Sequence, residues 1–349
     1  MKPTIAIAIS GGIDSMVAAS LLKEQGHNII GVHFITGYEA ELEKSPSEIH
    51  QNISRIAGQI GVRIQIIDCN EVFKTKVVDY FAENYMQGKT PNPCIVCNES
   101  IKFGTCLNYA LKLGAQKLAT GHYAKITRDS ENKVHLLQAI DPEKDQSYFL
   151  SRLTQNQLDK ACFPLGGLTK SRVIKLASEK KLIPIKQKPS QDICFVQDQT
   201  YGRFLLNRCK IIPKPGIIQN TCGKVIGRHK GLHLFTIGQR RKINCPASEP
   251  YYVISKDIKQ NRLIVGFKKH LLSSKCTVQN LNWIHKKPDR SIQVKTRLRY
   301  RSPAISSTLI PVDRHEVIVK FESPQQAVSP GQGAVFYKNN EVIGGGWIA

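Results

Sequence analysis

Acidic residues are scarce in this chain. Its 27 aspartates and glutamates face 50 lysines and arginines, a formal net charge of +23 over 349 residues. An excess of that size implies a polyanionic partner. Long apolar runs are also missing: no stretch of 18 apolar residues exists, which excludes an ordinary transmembrane helix. No basic amphipathic helix is evident, so a membrane-surface role is not expected. The opening residues, MKPTIAIAISGG, run straight into a strand rather than a signal peptide, and a cytoplasmic location is expected. Internal repeats and low-complexity tracts are absent. Ten cysteines are present, but in a cytosolic chain they are not a disulfide framework. Most, such as Cys106, Cys209 and Cys276, are expected to be small buried hydrophobes. Structural zinc at the single C-x-x-C would need two more ligands at paired spacing, and neither a second C-x-x-C nor an H-x3–5-H occurs.

The charge is unevenly spread. Residues 201–349 hold 26 basic and 7 acidic side chains, so +19 of the net +23 lies there. The length and the 41% hydrophobic content allow two or three domains with sizeable cores. Strand-like runs at 4–9, 29–35, 63–67 and 117–120 alternate with helix-like runs at 14–25, 47–60, 71–86 and 99–113. Such alternation predicts a parallel sheet with helices on both faces. A helical stretch follows over 146–182, and Pro184, Pro189 and Ser190 end it. From about residue 274, short alternating runs (292–300, 316–321, 334–337) predict a small antiparallel barrel or sandwich. The expected fold class is α/β: a doubly wound parallel sheet, a small central domain and a C-terminal antiparallel β-barrel. The expected boundaries are 1–205, 206–272 and 273–349.

Ligands of a parallel sheet bind at the carboxyl ends of its strands. The loop Ser10-Gly11-Gly12-Ile13-Asp14-Ser15 lies there, between a strand and a helix, as do Phe34 and Gly121-His122-Tyr123. A Gly-rich turn entering a helix cradles phosphate with backbone N–H groups, although an ordinary strand-to-helix turn would look similar. It is neither a Walker A loop, for no Gly-Lys-Ser/Thr follows, nor a G-x-G-x-x-G fingerprint. Asp14 is too acidic to touch phosphate, so it orders the loop or helps to hold Mg2+. The loop resembles the pyrophosphatase loop of enzymes that split ATP to AMP and pyrophosphate, which implies adenylation of a substrate.

Cys94 and Cys97 lie in TPNPCIVCN, a loop made rigid by two prolines, with a helix expected shortly after. Thiols near a helix N-terminus gain thiolate character, so thiol chemistry is expected, with an inert buried pair as the alternative. Cys194, in QDICFV, joins them only if the loops meet in space. Lys295, Arg297, Arg299 and Arg301 alternate along a predicted strand and would share one face toward phosphates, unless that face is merely solvated. Tyr123, Tyr148 and Phe149 are candidate walls for an unstacked base, or core residues.

SGGIDS, TPNPCIVCN with IKFG, TGHYAKI, DQSYFL, QDICFV, GLHLFTIGQRR, VSPGQGAVFY and GGGWI occur in that order. Together, spanning residues 4–347, they resemble the MnmA (TrmU) family of tRNA-specific 2-thiouridylases. The resemblance implies an enzyme that uses ATP and Mg2+ to adenylate C2 of the wobble uridine, position 34. A cysteine persulfide then delivers sulfur. It implies Cys194 as the persulfide carrier and Cys97 as its partner. ATP would be held by Ala8, Ile9, Ser10, Gly11, Gly12, Ile13, Asp14, Ser15, Phe34 and Gly121. Asn92, Pro93 and Cys94 would border the base. His122, Lys144, Asp145, Gln146, Arg299, Tyr300 and Gln332 would contact tRNA. The implied partners are tRNA and a sulfur donor, either a cysteine desulfurase or a sulfur-relay protein. Two departures stand out. Cys94 replaces an aspartate common in the family, so Cys94, Cys97 and Cys194 could instead ligate an iron–sulfur cluster. The segment TGYEAELEKSPSE (36–48) also lacks the family's usual Asn-Trp-acidic loop. Another adenylating ligase with the same loop, or a tRNA-binding protein without catalysis, are the competing readings.

Overall fold

The structure is a computed structural model that describes residues 2–38, 45–185, 193–196, 200–207, 209–210 and 212–349. Among the described residues, seven strands lie in the first half of the chain: β1 (Thr4–Ala8), β2 (Asn28–Ile35), β3 (Ile64–Asp68), β4 (Lys117–Ala119), β5 (Ala124–Arg128), β6 (Val134–Gln138) and β7 (Ala161–Cys162). Five of them form an all-parallel sheet in the order β3-β2-β1-β4-β7. The apolar run of β1 is buried on both faces, as a covered parallel strand requires. Ile5, Ile7 and Ile9 pack with Met16, Val17 and Ile56 on one side, while Ala6 and Ala8 pack with Phe103, Leu107 and Leu118 on the other.

The helices agree with expectation in place but not in form. Ile13–Glu24 follows β1, and Pro46–Ile60 starts at a Ser45–Glu48 capping box. The two later helices carry π-helical turns at Lys74–Asp79 and Asn98–Cys106. The second begins earlier than expected, as Pro93–Cys97. Gln157 Nε2 donates to the carbonyls of Glu99 and Phe103, both at 3.0 Å, within that second π-helical turn. The stretch expected to be helical over 146–182 is broken into pieces, with β7 among them and Lys170–Glu179 as the last helix.

A small sheet follows, with β8 (Gly216–Asn220), β9 (Val225–His229), β10 (Tyr252–Asp257) and β11 (Arg262–Gly266) in the order β10-β11-β8-β9. Ile218, Phe235, Val253, Leu263 and Val265 form its core. The last six strands are β12 (Leu272–Trp283), β13 (Ile292–Arg297), β14 (Ile305–Pro311), β15 (Glu316–Gln326), β16 (Gly333–Lys338) and β17 (Glu341–Ile348). They run β12-β15-β14-β13-β16-β17 and close through a β12–β17 pairing into an antiparallel barrel around Val278, Val294, Leu309, Val319 and Phe336. The hairpin β5–β6 joins this sheet through β6 and β17, pairing Leu137 with Glu341 and Leu136 with Val342. The N-terminal unit is thus sewn to the barrel by main-chain bonds. Among the described residues, no helix is long and apolar enough to cross a membrane.

Candidate active site and nucleic-acid interface

The loop after β1 is built for an anion. Gly11 has φ of +80°, a conformation that favours glycine. Gly12 is the N-cap of helix Ile13–Glu24, and no side chain caps it. The first N–H groups of the helix therefore keep their capacity for a phosphate. The buried Ser15 hydroxyl holds the turn: it donates to Gly12 O at 2.9 Å and accepts from Ser10 N at 3.2 Å. Asp14 Oδ1 accepts from Tyr123 Oη at 2.7 Å and from Lys170 Nζ at 2.6 Å. Burial and the Asp14 carboxylate together hold the Tyr123 phenol protonated, so it donates. Through Oδ1, Asp14 ties the loop to Tyr123 and Lys170.

Gly121 presses against the same helix start. A Cβ there would stand 2.9 Å from Asp14 C and Ser15 N, so only glycine permits this approach. Phe34 lies half-buried near the end of β2. The loop, Phe34 and Gly121 thus lie at or just beyond the carboxyl ends of β1, β2 and β4. Tyr123 and Lys170 were not among the expected ATP residues, because their link to Asp14 spans 109 and 156 positions.

Cys94 and Cys97 lie within a helix rather than before one. Asn92 caps Pro93–Cys97, accepting from Ile95 N at 3.4 Å, with Pro93 in its first turn, where its missing N–H costs nothing. The expected thiolate character is not found. Burial pushes both thiols up to about 12, against the opposing charge of Lys102. One helical turn offers too small a dipole to offset that loss of solvation. Cys194 is exposed, and its neighbours Ile193 and Phe195 pack into the same apolar core as Val96 and Cys97, which brings its charge within range of both thiols. Its neighbour Phe195 anchors the segment, packing edge-on against Phe81 at 5.3 Å and tilted against Phe204 at 5.2 Å. Gln191 and Asp192 lie outside the described residues, as do residues 39–44 of the unusual 36–48 segment.

The described residues include all ten cysteines, and no disulfide joins any of them. The sulfurs of Cys94, Cys97 and Cys194 are not gathered within 4.8 Å of one another. That spacing leaves no single ion shared by the three sulfurs. A thiol at about 12 makes a direct prediction: alkylation of Cys97 by iodoacetamide rises about tenfold per pH unit between pH 7 and 9. Peptide mass spectrometry reads it, and a rate flat above pH 8 would contradict it.

Lys102 was not singled out in the sequence. It lies on the π-helical turn, and its Nζ is 3.3 Å from His122 Nε2. An ammonium only donates, so Nε2 accepts and Nδ1–H points to Thr120 Oγ1 at 2.6 Å. Burial, then Lys102, holds the His122 pKa well below its usual value. His122 is therefore a neutral, buried ring with both nitrogens engaged. The IKFG motif was the available signal for Lys102, but its direction toward His122 depends on the π turn.

The barrel clamps the cysteine loop. Thr90 N donates to Pro330 O at 2.7 Å, and Gln332 Nε2 donates to Thr90 O at 2.9 Å. Gly331, with φ of +87°, leaves a Cβ only 2.9 Å from Lys89 Cβ. Tyr148 Oη donates to Gly333 O at 3.0 Å. Tyr148 and Tyr123 are thus core residues with engaged hydroxyls rather than open walls. Phe149 and Tyr300 face each other at 4.4 Å.

Other residues that the resemblance assigns to tRNA also fall at this junction. Arg299 donates to Ala327 O at 2.7 Å and Ser329 Oγ at 2.8 Å. Gln146 Oε1 accepts from Tyr123 N at 3.0 Å. Asp145 is buried against Arg297 at 3.1 Å, whereas Lys144 is exposed.

The expected row of four cations is not formed. The strand stops at Arg297, which enters that buried pair, so Arg299 and Arg301 lie beyond the ladder. The central unit also carries exposed cations, among them Arg228, Lys230, Arg240, Arg241 and Lys242. Gly238, beside three of them, packs on Ala327 of the barrel, where a Cβ would meet Ala327 Cβ at 2.6 Å.

Comparison with known proteins covers nearly the whole chain. The tRNA methyl transferase HUP domain matches residues 3–198, the tRNA methyl transferase PRC-barrel domain residues 203–267, and the Aminomethyltransferase beta-barrel domain residues 273–348. The tRNA-specific 2-thiouridylase MnmA of Desulfosudis oleivorans is 45% identical over 347 residues, 99% of this chain and 95% of that protein. The protein of the same name from Treponema denticola is 41% identical over 355 residues, covering 99% and 97%. Among solved structures, the U34-tRNA thiolase NcsA from Methanococcus maripaludis, with its 4Fe-4S cluster, aligns over 55% of this chain and 62% of that one. Its identity is 19% and its TM-score 0.37, a likeness too weak to bear on mechanism. The chain belongs to the MnmA family of tRNA-specific 2-thiouridylases.

Proposed function

We propose that the protein converts the wobble uridine of tRNA, uridine 34, to 2-thiouridine in two stages. In the first, ATP sits on the loop 8–15 with its phosphates at the uncapped helix start. It enters as its Mg2+ complex, as substrate. The uridine O2 attacks the α-phosphorus, pyrophosphate leaves, and C2 carries an adenylate. In the second, Cys194 bears a persulfide delivered by a donor protein, a cysteine desulfurase or sulfur-relay protein. The terminal sulfur attacks C2 and AMP leaves. Cys97 then attacks Cys194 Sγ, a Cys97–Cys194 disulfide forms, and the 2-thiouridine is released. An external reductant reopens the disulfide.

The observation that carries this reading is the pairing, on one parallel-sheet unit, of a phosphate cradle with two cysteine segments that pack into the same apolar core. Cys94 lies beside Cys97 and takes no step. Lys102, held by His122, is a positioning residue that lowers the cost of charging Cys97. In this reading residues 1–205 perform the chemistry, and 206–272 and 273–349 hold the tRNA. The exposed cations at 228–242 contact phosphates, which makes binding steeply salt-dependent. The target base leaves its stack to reach the site.

Nucleoside mass spectrometry of tRNA from cells with and without the protein tests the reading. Loss of 2-thiouridine at position 34 is expected without it. Unchanged 2-thiouridine, or ATP–pyrophosphate exchange indifferent to added tRNA, would instead favour a ligase for a small metabolite.

A further inference from the structure

Three segments distant in sequence converge where the β5–β6 hairpin meets the barrel. His135 lies on β6, Glu341 opens β17, and His285 follows β12. His135 Nδ1 is 2.7 Å, and His285 Nε2 2.8 Å, from one oxygen, Glu341 Oε1. The two rings are 4.5 Å apart and tilted by 39°. All three donor atoms lie within 4.8 Å of one another. Among the described residues, Glu341 pairs with these two histidines and with no lysine or arginine. The main chain beneath is tied down. Gln138 N donates to Asn340 O at 2.8 Å and Ile284 N to Ile343 O at 3.1 Å. Gln155 Nε2 bridges the carbonyls of Val134 and Ile284 at 2.7 and 2.9 Å. The donors therefore sit on preset backbone rather than on loose loops.

Two imidazole nitrogens and a carboxylate oxygen suit a borderline-soft divalent ion such as Zn2+. Tetrahedral ligands at about 2.0–2.1 Å from zinc stand about 3.3 Å apart, so the two short contacts need to open by only about half an ångström. A second observation points the same way. The far nitrogen of His135, Nε2, faces Asp129 Oδ2 at 3.2 Å. A metal-bound histidine typically donates its other N–H to such an outer carboxylate, which aims the lone pair at the ion. With Nε2–H on Asp129, Nδ1 presents a lone pair to Glu341 Oε1, a contact that a cation between them makes favourable. The ladder at this seam has only two residue pairs, Glu341 with Leu137 and Val342 with Leu136. We propose that His135, His285 and Glu341 bind one zinc-class divalent cation that clasps the barrel to the catalytic unit. Asp129 is the outer partner, and one coordination position is left to water.

The test uses full-length protein stripped by a chelator and titrated with Zn2+ alone or Co2+ alone. The cysteines compete for either metal, so the signature must be one that thiolate cannot give. One equivalent of Co2+ is expected to bind with visible d–d bands and no sulfur-to-cobalt charge transfer, in wild type and in Cys94→Ser/Cys97→Ser alike. That equivalent is lost in His285→Gln and Glu341→Gln. Asp129→Asn keeps it with affinity about 10–100-fold weaker. Zn2+ raises the Tm of wild type but not of Glu341→Gln. A protonated His135 satisfying the same contacts without metal would leave no such equivalent in wild type, and that result overturns the proposal. So does equal uptake by wild type and all three site variants. Should His285→Gln fail to fold, the wild-type cobalt spectrum and the Asp129→Asn affinity still decide.

Discussion

Cys194→Ser is expected to abolish 2-thiouridine formation while tRNA-dependent release of pyrophosphate continues within a few-fold of wild type. Serine cannot carry a transferable sulfur, but the loop 8–15 and its helix start are untouched. The loss of thiolation should be on the order of 10⁴–10⁶ in turnover, the scale seen when a covalent nucleophile is removed. Cys97→Ser has the same end point with a different intermediate. Persulfide attack on C2 still proceeds, so a tRNA joined to Cys194 through a C2–S–S bridge accumulates. Added dithiothreitol, an external thiol, then opens the bridge and releases 2-thiouridine. Intact-mass analysis under non-reducing conditions reads the adduct, and it should be absent from Cys194→Ser. Cys94→Ser is expected to remain active, since the sequence of steps uses two sulfurs. Full activity of Cys97→Ser, or a dead Cys94→Ser with its fold intact, would contradict the mechanism. The high thiol pKa of Cys97, about 12, adds a constraint on rate: its attack needs a proton removed at some cost, and Lys102 reduces that cost electrostatically.

The parallel sheet was legible because its strands are short apolar runs punctuated by glycine and polar residues. The predicted 4–9, 29–35, 63–67 and 117–120 became β1, β2, β3 and β4 with no end moved by more than one residue. Strand β7 was not legible, because two residues show no periodicity. The helix holding Cys94 and Cys97 was hidden by its prolines. Pro91 and Pro93 signal a loop, yet proline is well tolerated in the first turn of a helix, and Asn92 supplies the cap. Pairings between distant residues were out of reach in principle. Nothing in local pattern says that Tyr123 and Lys170 meet on Asp14, or that β6 adds to β17. The alternation of cations at 295–301 looked like a binding face because β-strand period was assumed to persist to residue 300. Chain termination of β13 at Arg297 and the demand of a buried carboxylate decided otherwise. The excess positive charge itself remained informative, and its exposed part is shared between the central unit and the barrel.

That buried carboxylate, Asp145, should matter for stability more than for tRNA contact. It sits between units, fully buried, and accepts from Ala139 N, Ser147 N, Ser147 Oγ, Gln138 Nε2 and Arg297 Nη1 at 3.0–3.2 Å. Arg297, with 12% of its side chain exposed, lies over the Tyr337 ring at 5.3 Å. Asp145→Ala strands this guanidinium in a low-dielectric seam and orphans several donors at once. Breaking a buried pair in this way costs about 3–5 kcal/mol. With an unfolding entropy of about 2.1 cal/mol/K per residue, the Tm of a chain this long falls by roughly 5 °C if the units unfold together. Arg297→Met alone should destabilise for the mirror reason, a carboxylate left without its counter-charge. The double variant Asp145→Ala/Arg297→Met should be less damaged than the sum of the two singles, because neither charge is then stranded. Calorimetry of the four proteins measures the coupling. Strict additivity of the two losses would show that the pair is not the source. Asp145→Asn with an unchanged Tm and weakened tRNA affinity would return Asp145 to the nucleic-acid interface. A lowered Tm with tRNA affinity preserved at permissive temperature is the expected result, because the carboxylate's hydrogen-bonding capacity is already spent inside the protein.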